Sequence, residues 1–239
     1  MANNNSQPRA FGLVAGLGVG AGIFYYRALV DAHLALGLSP RLLMVHADVR
    51  RVMNHAAARE ADQLAEYLAG LLGQLAGGGA EIAAIPAFSP QVCATELAAI
   101  TPLPLVSLLD AISAEVKRRG LRRVALFGAR VTMETQLFGR LQDQDKDRDK
   151  DVEVVTARPE ELDRIASIYV RVVEESRASD EDYTALRSLA HTLIEREKLD
   201  AIIFVGTDLA FVFNPENTDF PHVDGARVHL RAIMSELLR

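Results

Sequence analysis

The sequence predicts an α/β protein of two pseudo-symmetric lobes, each a parallel sheet flanked by helices, with a ligand cleft between them. Three observations carry this. Short apolar runs alternate with helical stretches along the chain, the pattern of parallel strands covered on both faces. The series occurs twice, over roughly 11–105 and 124–205. The apolar runs also end in small polar turns, above all Ile-Ile-Phe-Val-Gly-Thr-Asp at 202–208 and Ala87-Phe88-Ser89-Pro90-Gln91 after the run 82–86. An open parallel sheet presents functional groups at such carboxyl ends. The expected division is 11–107 plus 215–239 for the first lobe, 108–214 for the second, and a disordered tail over 1–10.

Residues 11–15 read as a buried first strand. Gly16-Leu17-Gly18-Val19-Gly20-Ala21-Gly22 follows, then a helix over about 23–36. Strand, glycine turn and helix bring backbone N–H groups toward an anion. A dinucleotide site would want an acidic residue about 20 residues on. Asp48 comes later than that, so a small anion is favoured over a nucleotide, and some glycines serve only close packing. Residues 41–45 form a second strand ending in His46-Ala47-Asp48. The helix expected over 57–77 carries Leu64, Leu68, Leu71, Leu72 and Leu75 at helical spacing and stops at Gly77-Gly78-Gly79. Residues 81–86 are a third strand. Pro90 suits a first helical turn before a helix over 92–100. Pro102 and Pro104 break that helix ahead of a short strand at 105–107.

The second series opens with a helix over 109–119, ended by Gly120. A strand at 124–127 leads into the turn 128–134. The helix after it reaches Leu141 and an alternating charge run over 143–151, read as a solvated loop. That run has no turn glycine, which argues against a calcium loop. A strand at 152–155 follows, and Arg158-Pro159-Glu160-Glu161 opens a helix with acids in its first turn. A helix over 180–198, the strand 201–205, a polar loop over 214–219 and a terminal helix over 228–238 complete the chain. The terminal helix is expected to fold back on the first lobe.

Composition sets outer bounds. A chain of 239 residues with 49% hydrophobic and 24% charged residues buries a sizeable core. A net charge of -6 argues against nucleic acid, which asks for a basic face. No zinc-ligand cluster is present, and no metal is expected. The single cysteine, Cys93, excludes an internal disulfide and fits a reducing compartment. The start of the chain lacks the basic and apolar regions of a signal peptide. The apolar run from Phe11 is too short and too rich in glycine to span a membrane. A cytoplasmic protein is the expectation.

Several segments, in order, resemble the aspartate/glutamate/hydantoin racemase superfamily. Gly12-Leu13-Val14-Ala15-Gly16-Leu17-Gly18 is similar to its opening glycine turn. Val124 to Met133, with Gly128-Ala129-Arg130-Val131-Thr132-Met133, is similar to its Gly-Thr-Arg-x-Thr-Met turn. Val154-Val155-Thr156-Ala157-Arg158-Pro159-Glu160-Glu161 resembles its linker strand and helix start. Ile203-Phe204-Val205-Gly206-Thr207-Asp208 resembles Ile-Leu-Gly-Cys-Thr-Glu, and Pro221-His222-Val223-Asp224 with His229 resembles the closing segment. The resemblance implies two lobes around one site, no cofactor, a small carboxylate or amino-acid ligand, and commonly a homodimer. It also places the family's two thiols at Ala87 and Gly206, which have no side-chain acid or base. Racemisation without a cofactor sets an acid and a base on opposite faces of the α-carbon, and thiols serve there. A chain with neither thiol cannot run that route. It retains donors suited to a carboxylate or an enediolate.

The candidate site residues follow from the same turns. Asp208, in place of the family glutamate, reads as a base or as a structural helix-start carboxylate. His46, with Asp48 two residues on, reads as a general base with an orienting acid, or as a loop histidine. Ser89 and Thr207 read as carboxylate donors that also cap helices. Gln91, in place of a histidine, orients a ligand but relays no proton. Arg50 offers a bidentate clamp or a solvated surface group. Gly16, Gly18, Phe88, Thr132 and His229 complete the expected ligand shell. Cys93 reads as a small buried residue. Three activities are weighed, in this order: an enzyme of the superfamily, isomerase, lyase or hydrolase, working without paired thiols; a carboxylate-binding or regulatory homologue; and a phosphate or nucleotide enzyme using the first glycine turn.

Overall fold

The computed structural model describes residues 8–142 and 152–239. The charge run 143–151 and residues 1–7 lie outside the described residues. The first lobe is a parallel sheet in the order β2-β1-β3, with β1 Phe11–Ala15, β2 Leu42–His46 and β3 Ile82–Ala84. Phe11 pairs with both Leu42 and Ile82. The second lobe is parallel too, in the order β5-β4-β6-β7, with β4 Arg123–Gly128, β5 Glu153–Val154, β6 Ala201–Val205 and β7 His222–Asp224. Every residue of β1 and β6 is buried. Those strands read as unbroken apolar runs because helices cover both faces.

Helices α1 Val19–Ala35, α2 Val49–Ala58, α3 Ala61–Gly77 and α4 Ala94–Ile100 belong to the first series. In the second come α5 Leu108–Arg118, α6 Arg130–Glu134, α7 Pro159–Glu175 and α8 Asp180–Glu197, before the terminal α9 Gly225–Leu237. Helix α3 buries the five leucines its spacing predicts. Each is worth about 1.5–3 kcal/mol on leaving water. Ser107 and Ser179 cap α5 and α8 by accepting from the N–H groups of Asp110 and Asp182. No helix among the described residues is long and apolar enough to cross a membrane.

Five expectations change. Helix α2 is additional to the expected elements. Its sequence has one buried residue, Val52, and is set by the Asp48 carboxylate accepting from the N–H groups of Arg50 and Arg51. Arg59, at φ 57, then separates it from α3, so the expected 57–77 helix begins at Ala61. Helix α1 starts inside the glycine run, at Val19. There a Cβ at Gly20 would stand 2.6 Å from the Phe211 ring, so the glycine admits a close neighbour. The expected tail is ordered at its inner end: the Ala10 N–H donates to the Glu81 carboxylate at 2.6 Å, and the Arg9 N–H to the Leu237 carbonyl at 3.4 Å. The terminal segment divides between lobes. Strand β7 pairs with β6, whereas Ala226, Leu230, Ile233 and Leu237 of α9 pack with Phe11, Leu13, Tyr25 and Leu29.

Candidate functional site

All strands in each sheet run parallel, so their carboxyl ends lie on one edge, and the two edges meet. The Thr207 hydroxyl, at the end of β6, donates to the Pro86 carbonyl, just past β3, at 3.2 Å. Phe88, from the same first-lobe turn, inserts into the second-lobe core with Leu108, Ile112 and Phe204. The expected juxtaposition of the two turns is therefore a direct contact. Phe88 serves it as a core side chain, not as part of an open ligand shell.

Asp208 follows Thr207 in a 3-10 turn, Thr207–Phe211, and is 1% exposed. Its Oδ1 accepts from the Ala21 N–H in the first turn of α1 at 3.1 Å. A Cβ at Gly18, whose φ is +141, would lie 2.7 Å from Oδ2. The glycine turn thus does receive an anion, and that anion is the second lobe's own carboxylate. This fills the place that the phosphate or nucleotide reading needs. Burial pushes the Asp208 carboxyl up to about 6, against the Ala21 N–H, its own main chain and Tyr169, which favour the charge.

Tyr169, on α7, is the residue that sequence reasoning missed. Its ring lies where a side chain at position 206 would be: a Cβ on Gly206 would stand 2.3 Å from Cε2 and 2.6 Å from Cζ. Its hydroxyl interacts with the Asp208 carboxyl and main chain and with the Thr207 hydroxyl. The signal was ambiguous. Tyr169 continues the stripe Leu162, Ile165, Ala166 at helical spacing, which reads as core.

With both turns placed, comparison with known proteins decides the family. The family model for Asp/Glu/Hydantoin racemase matches residues 14–233. This chain belongs to the Asp/Glu/hydantoin racemase family. No match was found among curated proteins. The fold is similar to a candidate Asp/Glu racemase from Yersinia pestis, at 23% identity and a TM-score of 0.81, over 97% of this chain and 100% of that one. It is similar to an aspartate racemase homologue from Pyrococcus horikoshii OT3, at 20% identity and a TM-score of 0.78, over 97% and 100%. It also resembles glutamate racemase from Francisella tularensis in complex with D-glutamate, at 13% identity and a TM-score of 0.66, over 97% and 81%.

Against this racemase-family frame the remaining candidates sort by environment. Gly16, at φ +90, allows the backbone of Ala47 to pass; a Cβ there would stand 2.6 Å from its carbonyl oxygen. The exposed His46 ring sits beside that turn, its Cε1 2.9 Å from the same Cβ position. Asp48 does not orient His46 as expected, because its carboxylate caps α2. Arg50 is exposed in the first turn of α2. Ser89 is half-buried in the 3-10 turn Ser89–Cys93, and Gln91 folds back to donate to the Ala87 carbonyl at 2.9 Å. Thr132 is fully buried, and its hydroxyl has no partner among the described residues.

His229 is a core residue in this structure. Its Nε2 donates to the Val106 carbonyl at 2.9 Å, which leaves Nδ1 to accept from the Tyr25 hydroxyl at 3.1 Å. Burial lowers its pKa to about 4, so it stays neutral. Both nitrogens are used beneath the site rather than in it.

Neither strand-end turn carries a cysteine. Cys93 is fully buried beyond the first one, donates to the Pro90 carbonyl at 3.2 Å, and is pushed up to about 12 by burial. We expect the native protein at pH 8 to resist a thiol reagent and to label at Cys93 only once denatured. Fast stoichiometric labelling of folded protein would show that this environment is wrong. An open hollow of about 530 Å³ lies beside the first turn, lined by Ile85 and Gln91 from one lobe and Leu108, Asp110 and Arg140 from the other. Of the candidate site residues only Gln91 lines it; Asp208, Thr207 and Ser89 do not.

Proposed function

We propose that the chain is a cofactor-independent enzyme acting on a small amino acid or carboxylic acid where the two lobes meet, with Asp208 as its acid–base group. One observation carries the reading. A buried carboxyl that titrates near 6 is held at the contact between the two strand-end turns. A general acid or base works best when its pKa lies near the working pH. The opposite turn offers Ala87, Ser89 and Gln91, none of which titrates near neutrality. Proton transfer is then one-sided. It suits isomerisation, decarboxylation or bond cleavage at a carbon next to a carboxylate rather than two-base racemisation. Ser89 and the adjoining N–H groups are assigned to the ligand carboxylate, Thr207 to joining the two turns through the Pro86 carbonyl, His46 to the rim, and a homodimer to the assembly.

The test is incubation with a panel of amino acids and substituted malonates in deuterated water. α-Deuterium incorporation or loss of carbon dioxide by the wild type, and not by Asp208→Asn, is the expected result. No exchange and no product with any of them would remove the enzymatic reading. A second reading is then a carboxylate-binding homologue without chemistry. It is favoured by the hydrogen bonds that Asp208 and Thr207 already make inside the protein. It predicts a higher melting temperature with a dicarboxylate and no turnover.

A further inference from the structure

The backbone of Gly206 does not itself call for glycine. Its φ of −149 and ψ of 116 are ordinary extended values open to any residue. What excludes a side chain is the Tyr169 ring, whose Cε2, Cζ and Cδ2 atoms would stand 2.3, 2.6 and 3.0 Å from a Cβ. The ring cannot readily swing aside, because its hydroxyl interacts with Asp208 and Thr207 and its backbone is fixed in the middle of α7. Helix α7 is packed by Leu162, Ile165, Ala166, Ile168 and Val172. The titratable groups facing Asp208 are Tyr169 from α7 and Tyr25 from α1; from α1 it also receives the Ala21 N–H.

We propose that Gly206 and Tyr169 form one unit, in which the missing side chain at 206 admits the Tyr169 ring and the ring positions the Asp208 carboxyl. Tyr169 is a positioning residue: it acts on Asp208 and through it on the ligand. The turn at 206 is thus specialised for a carboxyl supported by a phenol, and restoring a side chain there displaces the support. The proposal rests on Asp208 being the titrating group of the site.

The test reads Asp208 directly, without turnover. The side-chain carboxyl carbons of the full-length protein are labelled with carbon-13 at aspartate and followed by NMR against pH. The Asp208 signal is identified by its loss in Asp208→Asn. Tyr169→Phe keeps the ring and removes the donor, so the Asp208 midpoint is expected to rise, by about one pH unit. Gly206→Ala is expected to raise it similarly by displacing the ring, and the double variant to rise no further than either alone. Gly206→Ala should also lower the melting temperature, and the same substitution should cost much less when made in a Tyr169→Ala background, where the ring it would displace is already gone. An unchanged midpoint in Tyr169→Phe, or increments that simply add in the double variant, would overturn the coupling. An inactive protein with the shifted midpoint would sink the proposed chemistry and leave the coupling standing.

Discussion

Asp208→Asn is expected to make the protein more stable above pH 6 while removing its activity. The carboxyl is held above its ordinary value, at about 6, chiefly because burial penalises the charge. The native state therefore binds more protons than the unfolded chain between about pH 4 and 6. On the acid side of that window the group is neutral in both states and costs nothing. As pH rises through it the native protein must ionise a buried carboxyl, and stability falls by on the order of 3 kcal/mol. Asparagine has nearly the same shape and can still accept from the Ala21 N–H, but does not ionise. The advantage of the variant should thus be near zero at pH 4 and complete by pH 7. In a chain of this length it should appear as a rise of roughly 6–12 °C in Tm. The same variant loses the proposed proton carrier, and turnover should drop by about 10²-fold or more. Melting curves across pH 4–8 for both proteins check the first half. A variant whose advantage is flat with pH, or reversed, would mean that Asp208 is not a strained buried acid.

Gly128→Ala is expected to be among the most damaging single changes in the second lobe. Gly128 ends β4 and pairs with Val205 of β6. A Cβ there would stand 2.4 Å from both the carbonyl carbon and oxygen of Val205, and 2.7 Å from the Gly206 nitrogen. All three are backbone atoms, so no rotamer change relieves the clash. The strands must part at the point where β6 turns toward Thr207 and Asp208. A loss of about 3 kcal/mol or more is expected, seen as a lower urea midpoint. Gly73→Ala is the matched control. It lies exposed in α3 with nothing within 4 Å of its Cβ position, and alanine there should add about 0.5–1 kcal/mol. Equal midpoints for Gly128→Ala and the wild type would show that the strand ends are looser than this geometry requires.

Much of the architecture is written in local pattern. The runs 11–15 and 201–205 are apolar throughout because both faces are covered, and the leucines of α3 fall on one side of a helix. At α2 the apolar pattern is present but little used: Val49, Val52, Met53 and Ala56 fall at helical spacing, yet only Val52 is buried, and the Asp48 cap sets where the helix starts. The glycine run reads as an anion-binding turn, and the anion it meets is Asp208, 187 residues beyond Ala21. Tyr169 was hidden because an aromatic on a helical stripe looks like core from sequence, whereas here its ring fills the space at Gly206. His229 and Phe88 read from sequence as ligand-shell residues, whereas the fold uses both as interior residues that fasten segments together.

The sequence by itself determined the alternating parallel architecture, the two lobes and the turns at which chemistry gathers, because these follow from periodicity and composition within short windows. Only the tertiary structure decided that the second lobe's carboxylate occupies the first lobe's glycine turn, and that a tyrosine stands where residue 206 has no side chain. Those contacts join residues far apart in the chain. Their energetics come from burial and close approach, which exist only once the two sheet edges have met.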